Sequence, residues 1–116
     1  MDKEVRVNGR LYKLKKYGHS EQTIIDDASW DTVTIPGTED IKIIRKVGSY
    51  YSLVIFYSLV SWEIKDGQKN LIPLNLANFK QYFPPEDRVL LFEHAAEINS
   101  LKEEVKNALS GKSAKL

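Results

Sequence analysis

The chain has 116 residues, no cysteine and a formal net charge of +1. This length predicts one domain with its own core, and the lack of cysteine excludes a disulfide framework and a thiolate metal site. Residues 1–20 carry six Lys/Arg against two acids, and residues 21–41 carry six acids and no Lys or Arg, a pattern that favours self-complementary docking or internal pairing over one broad basic face.

The first third of the chain predicts a β-hairpin followed by a short helix. Residues 5–14 contain Asn8-Gly9, which supply the two positive-φ positions of a type I′ turn. The apolar side chains expected to face the core are Val5, Val7, Leu11 and Leu14. We expect Ser20 to cap a helix over residues 21–28. A long irregular segment is the alternative, since the lack of Gly and Pro over residues 19–35 permits either. Because residues 1–16 alternate charged and apolar groups, they do not predict a signal peptide.

A second pair of strands is predicted in the middle of the chain. Residues 30–35 alternate as a strand does, Pro36-Gly37 predicts a turn, and residues 40–47 predict the return strand. We expect Gly48-Ser49 to end that strand. Residues 50–60 favour a buried strand because β-branched and aromatic side chains dominate them, and a helix is the alternative.

The segment after residue 60 predicts a turn and a short return strand. Residues 61–64 lead into Asp66-Gly67, and residues 70–74 are expected to pair back at a sheet edge, since Pro73 has no amide to donate. The longest apolar-rich stretch, residues 50–62, spans 13 positions. A membrane-spanning helix needs about 20, so we expect a soluble protein.

Two helices are predicted at the C-terminal end. Asn75 is the expected cap of the first, and Pro84-Pro85 ends it and begins the second. The apolar stripe of the first helix is Leu76, Phe79 and Phe83. The second helix should run to about Leu109, with Gly111 as its stop. Its apolar stripe, expected to continue past the core, includes Leu91, His94, Ile98, Leu101, Val105 and Ala108.

Together these elements predict an α+β fold. A small antiparallel sheet, begun by the N-terminal hairpin, should be covered by the C-terminal helix pair. We expect a single domain over residues 1–110, followed by a basic frayed tail over residues 111–116.

No motif points to catalysis or to a cofactor. His19 and His94 are the two imidazoles, and neither belongs to a cluster with metal-ligand spacing. The glycines are scattered singly, so no phosphate-binding loop is predicted. Since no acid, base and nucleophile can be named together, we predict a non-enzymatic protein with no catalytic, cofactor-binding or metal residues.

Two binding surfaces are candidates instead. Trp and Tyr concentrate binding energy at interfaces, although core anchoring is the alternative for Trp30 and Trp62. The candidate protein interface comprises Trp62, Tyr50, Tyr51, His94, Ile98, Leu101, Val105 and Ala108. Cations interleaved with aromatics can follow a nucleic-acid backbone and stack on bases. The candidate nucleic-acid surface comprises Arg10, Tyr12, Lys13, Lys15 and Lys16.

The order of parts between residues 54 and 99 carries a family resemblance. It consists of an apolar run ending in Val60-Ser61-Trp62, the Asp66-Gly67 turn, Leu71-Ile72-Pro73-Leu74, a short amphipathic segment closing at Phe83-Pro84-Pro85-Glu86-Asp87, and a helix. This order resembles the small tail-assembly and tail-associated proteins of tailed bacteriophages, and it allows a helix over residues 50–60. Asn75 departs from the family, in which a Thr cap is commoner, as does the basic hairpin that precedes the match.

The resemblance implies a non-enzymatic phage or prophage protein that assembles tails or virions through protein–protein contacts. Its partners would be other phage structural proteins or a second copy of itself, in the host cytoplasm or in the virion. The alternative is a nucleic-acid-binding regulator that uses the basic hairpin.

Overall fold

The computed structural model describes residues 2–101, and this part of the chain is α+β as predicted. Its elements, in chain order, are β1 (Lys3–Val7), β2 (Arg10–Leu14), α1 (His19–Ser29), β3 (Trp30–Thr34), β4 (Ile41–Arg45), α2 (Val47–Ser58), β5 (Leu59–Trp62), α3 (Leu76–Tyr82), a 3-10 turn (Pro85–Asp87) and α4 (Arg88–Ile98). The strands form a three-stranded antiparallel sheet, β1-β2-β5, and a separate two-stranded sheet, β3-β4. The C-terminal helix pair packs against the three-stranded sheet. No helix within residues 2–101 has the length and apolar content needed to cross a membrane.

The N-terminal hairpin has the predicted turn but a different inward face. Asn8 and Gly9 adopt φ values of 49° and 81°, as a type I′ turn requires. The resulting register pairs Val5 with Tyr12, and directly paired residues share a face of the sheet. Tyr12 is therefore fully buried, whereas Leu11 stays partly exposed. The expectation that Leu11 faces the core was wrong, because the two-residue turn sets the opposite alternation.

Helix α1 begins one residue before its predicted cap. Gly18 is the N-cap residue, no side chain caps the helix, and Ser20 lies within the first turn. The amide of Gln22 donates to the Gly18 carbonyl at 3.1 Å. The helix predicted over residues 21–28 is thus confirmed, but the role assigned to Ser20 is not.

The largest difference from the sequence prediction is helix α2. Residues 50–58 form a helix instead of the favoured strand, and Gly48-Ser49 lie in its first turn instead of ending a strand. Helix α2 packs against α1 and α4, so much of its circumference is covered. A helix with apolar groups all round has the same composition as a strand buried on both faces. Tertiary packing therefore outweighs the β-propensity of these residues.

The segment between β5 and α3 contains less sheet than predicted. In place of a return strand over residues 70–74, a single β-bridge joins Lys65 to Leu71. The amide of Ile72 also donates to the Ile64 carbonyl at 2.8 Å. The predicted cap of the next helix is confirmed, because Asn75 Oδ1 accepts from the Asn78 amide at 2.8 Å.

Helix α4 ends at Ile98 and not near Leu109. Ser100 has a φ of 61°, and the Leu101 amide donates to the Ala96 carbonyl at 2.7 Å. A residue in the left-handed conformation, followed by an amide that donates to the carbonyl five residues earlier, forms a Schellman motif, which ends a helix. Val105, Ala108 and the predicted tail over residues 111–116 lie outside the described residues, and so does the predicted domain end at residue 110.

Candidate functional site

The two-stranded sheet β3-β4 forms a hairpin whose side chains are largely exposed; we call residues 30–45 the hairpin arm. Its strands pair in the register Trp30–Arg45 through Thr34–Ile41. Within residues 2–101 they pair only with each other, so both edges of this sheet are unpaired there. The described part of the chain measures 53 × 29 × 28 Å, an elongated shape.

Four branched apolar side chains of the hairpin arm face solvent. Ile41 and Ile43 are 68% and 54% exposed, and Val33 and Ile35 are exposed as well. The register places Ile41 and Ile43 on one face of the arm. A lone two-stranded hairpin is marginally stable in water, and exposed apolar strands are templates for pairing with another chain. The arm therefore has the properties of a contact surface.

The base of the arm is anchored to the helices. The Arg45 guanidinium lies over the ring of Tyr50, 3.7 Å from its centroid, and 5.0 Å from that of Trp30. Such cation–π contacts are favourable, most of all when water is excluded. The amide of Lys46 donates to the Ser29 carbonyl at 2.6 Å. These contacts orient the arm relative to α1 and α2.

A second feature is a buried polar cluster around Asp87, which we call the Asp87 cluster. Asp87 is fully buried and accepts from the Tyr12 hydroxyl at 2.5 Å and from Asn8 Nδ2 at 2.7 Å. Arg10 Nη1 lies 3.2 Å from its second carboxylate oxygen. The cluster joins the tip of the N-terminal hairpin to the start of α4. Its donors satisfy a carboxylate that would be costly to bury alone.

The hydrogen bonds of the Asp87 cluster have a structural role. Burial, followed by the hydrogen bond to Asp87, raises the pKa of Tyr12 well above its ordinary value. The phenol therefore keeps its proton and serves as a donor, not as a base or nucleophile. Across residues 2–101 there is also no group of three or more His, Asp or Glu residues placed to hold a metal ion.

The raised pKa of Tyr12 predicts a loss of stability at alkaline pH. Below about pH 10 both the folded and unfolded states hold the phenolic proton, so the protonated Tyr12 makes its full contribution to the free energy of unfolding. Above that pH only the unfolded state releases it, and the free energy of unfolding should fall by up to about 1.4 kcal/mol per pH unit. Urea titrations between pH 8 and 11.5 should show a shallower decline for Tyr12→Phe than for wild type. Tyr82→Phe, at an exposed position, should follow the wild-type curve, and parallel curves for all three proteins would contradict the assignment.

A half-open groove of about 470 Å³ lies between α1, α2 and α3. Its wall is mainly apolar, and its charged members are Lys80 and Arg88. Small-molecule sites fix their ligand with convergent polar groups, and none of the buried polar side chains among the described residues lines this groove. The groove alone therefore does not define a ligand.

The candidate protein interface predicted from the sequence is not one exposed surface. Trp62 is buried and its indole N–H donates to the Ile72 carbonyl at 2.7 Å, so it is a core anchor. Tyr50 is buried too. The members that are partly buried against the core or within α4 are Tyr51, His94, Ile98 and Leu101. Val105 and Ala108 are outside the described residues, and the stripe is interrupted where α4 ends.

The candidate nucleic-acid surface loses its aromatic member, Tyr12. Tyr12 is fully buried and cannot stack on a base. Arg10 is engaged by Asp87 and lies 3.4 Å from Glu86, and the Lys13 ammonium lies 3.8 Å from Asp2. Lys15 and Lys16 are exposed just after β2. Neighbouring acids thus offset much of the charge that a phosphate backbone would need.

Sequence reasoning did not single out the hairpin arm or the Asp87 cluster. The arm had a visible signal, since residues 30–47 predict two strands whose branched apolar residues fall on both faces. The contact between Tyr12 and Asp87 joins residues 75 positions apart. No local pattern signals a contact of that kind.

Comparison with known proteins gave no match to a protein-family model, a curated protein or a solved structure.

Proposed function

We propose that this protein is a non-enzymatic assembly protein that acts through protein–protein contacts, with the hairpin arm as its contact surface. The observation that carries the proposal is the exposure of Ile41 and Ile43 on a two-stranded sheet with unpaired edges within residues 2–101. The order of parts between residues 54 and 99 extends the proposal to tail or virion assembly in a bacteriophage. Its partners there would be phage structural proteins or a second copy of the chain.

The energetics of the arm support a binding role. Moving an isoleucine side chain from water to a buried site stabilises a protein by about 1.5–3 kcal/mol. Because Ile41 and Ile43 are more than half exposed, much of this stabilisation is not gained in the single chain. Strand addition at a sheet edge also supplies backbone hydrogen bonds. A partner strand would thus gain both apolar burial and main-chain pairing.

Site-specific photo-crosslinking tests the proposal. The photoreactive residue p-benzoylphenylalanine replaces Ile43 in the arm or, as the matched control, Leu71, which is 59% exposed outside the arm. In cells that produce the protein, we expect discrete crosslinked species from position 43 and not from position 71. Ile41→Thr, which keeps a β-branched side chain but removes apolar area, should reduce the yield from position 43.

The identity of the crosslinked species decides the next step. A product with a second copy or with another defined protein supports a contact function. Equal products from positions 43 and 71, or no discrete product from position 43, contradict it.

A further inference from the structure

We infer that the free edge of β4 pairs antiparallel with β4 of a second copy, giving a four-stranded sheet in the order β3-β4-β4-β3. This inference rests on the proposed contact role of the hairpin arm and names the partner. It also pairs an edge that is unpaired within residues 2–101. A stable independent sheet needs three or more strands, and the pairing would supply them.

Backbone geometry identifies the residues that face the free edge. The Ile35 amide donates to the Asp40 carbonyl at 3.0 Å, so Asp40 turns its backbone oxygen toward β3. Backbone polar groups alternate sides along a strand. In the register of this hairpin, Ile41 and Ile43 pair with Thr34 and Thr32. Each lies an odd number of residues along the strand from Asp40, so its backbone polar groups point to the side opposite those of Asp40. Their N–H and C=O groups therefore point to the free edge.

Side-chain charge selects the register of the pairing. With the two-fold axis at Ile43, the middle residue of β4, Ile43 lies opposite its own copy and Asp40 lies opposite Lys46. Opposite charges at directly facing positions are favourable, and the symmetry provides this contact twice. An axis at Lys42 would place two lysines against each other, which is unfavourable. An axis at Ile41 would leave half of β4 unpaired.

The edges of β3 and β1 fit self-pairing less well. Around Thr32, the middle of β3, a two-fold axis brings Asp31 opposite Val33 and forms no pair of opposite charges. Strand β1 has a free edge as well, but Val5 and Val7 are already buried in the core. Pairing at β1 would therefore gain little apolar burial. The β4 edge combines opposite charges with exposed isoleucines.

A single cysteine provides the first test, because the chain has none. In the proposed register the two Ile43 Cα atoms face each other as a hydrogen-bonded pair, about 5.5 Å apart, within the disulfide range of about 4.4–6.8 Å. Ile43→Cys should therefore give a disulfide dimer under mild oxidation. Thr32→Cys is the matched control, since Thr32 lies opposite Ile43 on the same face but in β3. Its two copies would be roughly 14 Å apart, three strand spacings, and should not crosslink.

A charge exchange provides the second test. Asp40→Lys replaces both attractive contacts by like-charge contacts, and sedimentation equilibrium should show dimerisation weakened about tenfold or more. Adding Lys46→Asp to the same chain should restore it, because each copy then presents the exchanged pair. Lys65→Asp, an exposed position outside the arm, should not restore it.

The outcomes separate this inference from the proposed function. Absence of the Ile43→Cys dimer, equal crosslinking of Thr32→Cys, or failure of the double exchange to restore association would overturn β4 self-pairing. Crosslinking of the arm to a different protein, with no self-association, would overturn self-pairing and leave the contact function standing. Loss of every arm-specific crosslink would overturn both.

Discussion

Asp87→Ala is expected to lower the free energy of unfolding by about 3–5 kcal/mol, the cost typical of removing one partner from a buried ionic cluster. Asp87 is fully buried and accepts from Tyr12 and Asn8 while pairing with Arg10. Without the carboxylate, the Tyr12 hydroxyl is left buried with no acceptor, and the N-terminal hairpin loses its tie to the start of α4. Urea denaturation at pH 7, followed by circular dichroism, measures the loss.

Glu86→Ala is the matched control for Asp87→Ala. Glu86 is the preceding residue and lies 3.4 Å from the same arginine, Arg10, but its side chain is 56% exposed. Exposed ion pairs contribute about 0–1 kcal/mol, so this variant should remain close to wild type. Asp87→Asn keeps one acceptor oxygen and should fall between the two. Similar losses for Glu86→Ala and Asp87→Ala would show that the cluster contributes no more than surface charge.

The features of the fold that were predicted correctly are set by residues close together in the sequence. The turn at Asn8-Gly9 needs two positive-φ positions, and those two residue types supply them. The cap at Asn75 needs one side-chain oxygen next to a free amide. The turn after β3 similarly follows from Pro36-Gly37. In each case the physical cause acts over about four residues and is visible in one sequence.

The incorrect predictions depended on distant contacts or on an atypical residue. Helix α2 is covered by α1 and α4, and composition alone cannot distinguish such a helix from a buried strand. Helix α4 ends at a left-handed Ser100, a position that usually holds glycine. Because a glycine was expected at the helix end, the helix was predicted to run to about Leu109, just before Gly111. Local patterns identify an element more reliably than they locate its neighbours.

For the candidate contact surfaces too, local sequence predicted the elements but not which side chains are exposed. Ile41 and Ile43 predict a strand, but their exposure depends on whether another part of the chain covers that strand. Tyr50 resembled an interface residue by type and is instead buried. The opposite charge blocks favoured self-complementary docking or internal pairing from the sequence alone, and the proposed β4 register would bring Asp40, from the acidic block, opposite Lys46 of a second copy. It stays a prediction until the β4 contact is measured.

Trp62→Ala is expected to lower the free energy of unfolding by about 3–5 kcal/mol, as for other buried aromatic truncations. The Trp62 ring stacks on Phe79 at a centroid distance of 6.2 Å, and its N–H satisfies the Ile72 carbonyl. Trp62→Phe keeps most of the ring but leaves that carbonyl without its donor, which should cost about 1–3 kcal/mol. Circular dichroism must follow unfolding here, because the substitution removes a fluorophore.

The same pair of variants separates the two interpretations of Trp62. If it is a core anchor, Trp62→Phe should lose stability and still crosslink through position 43 of the hairpin arm as wild type does. If it were an interface residue, the variant would keep its stability and lose association. Burial of the ring and its bond to Ile72 favour the first outcome, since a side chain that already fills the core has little surface left for a partner.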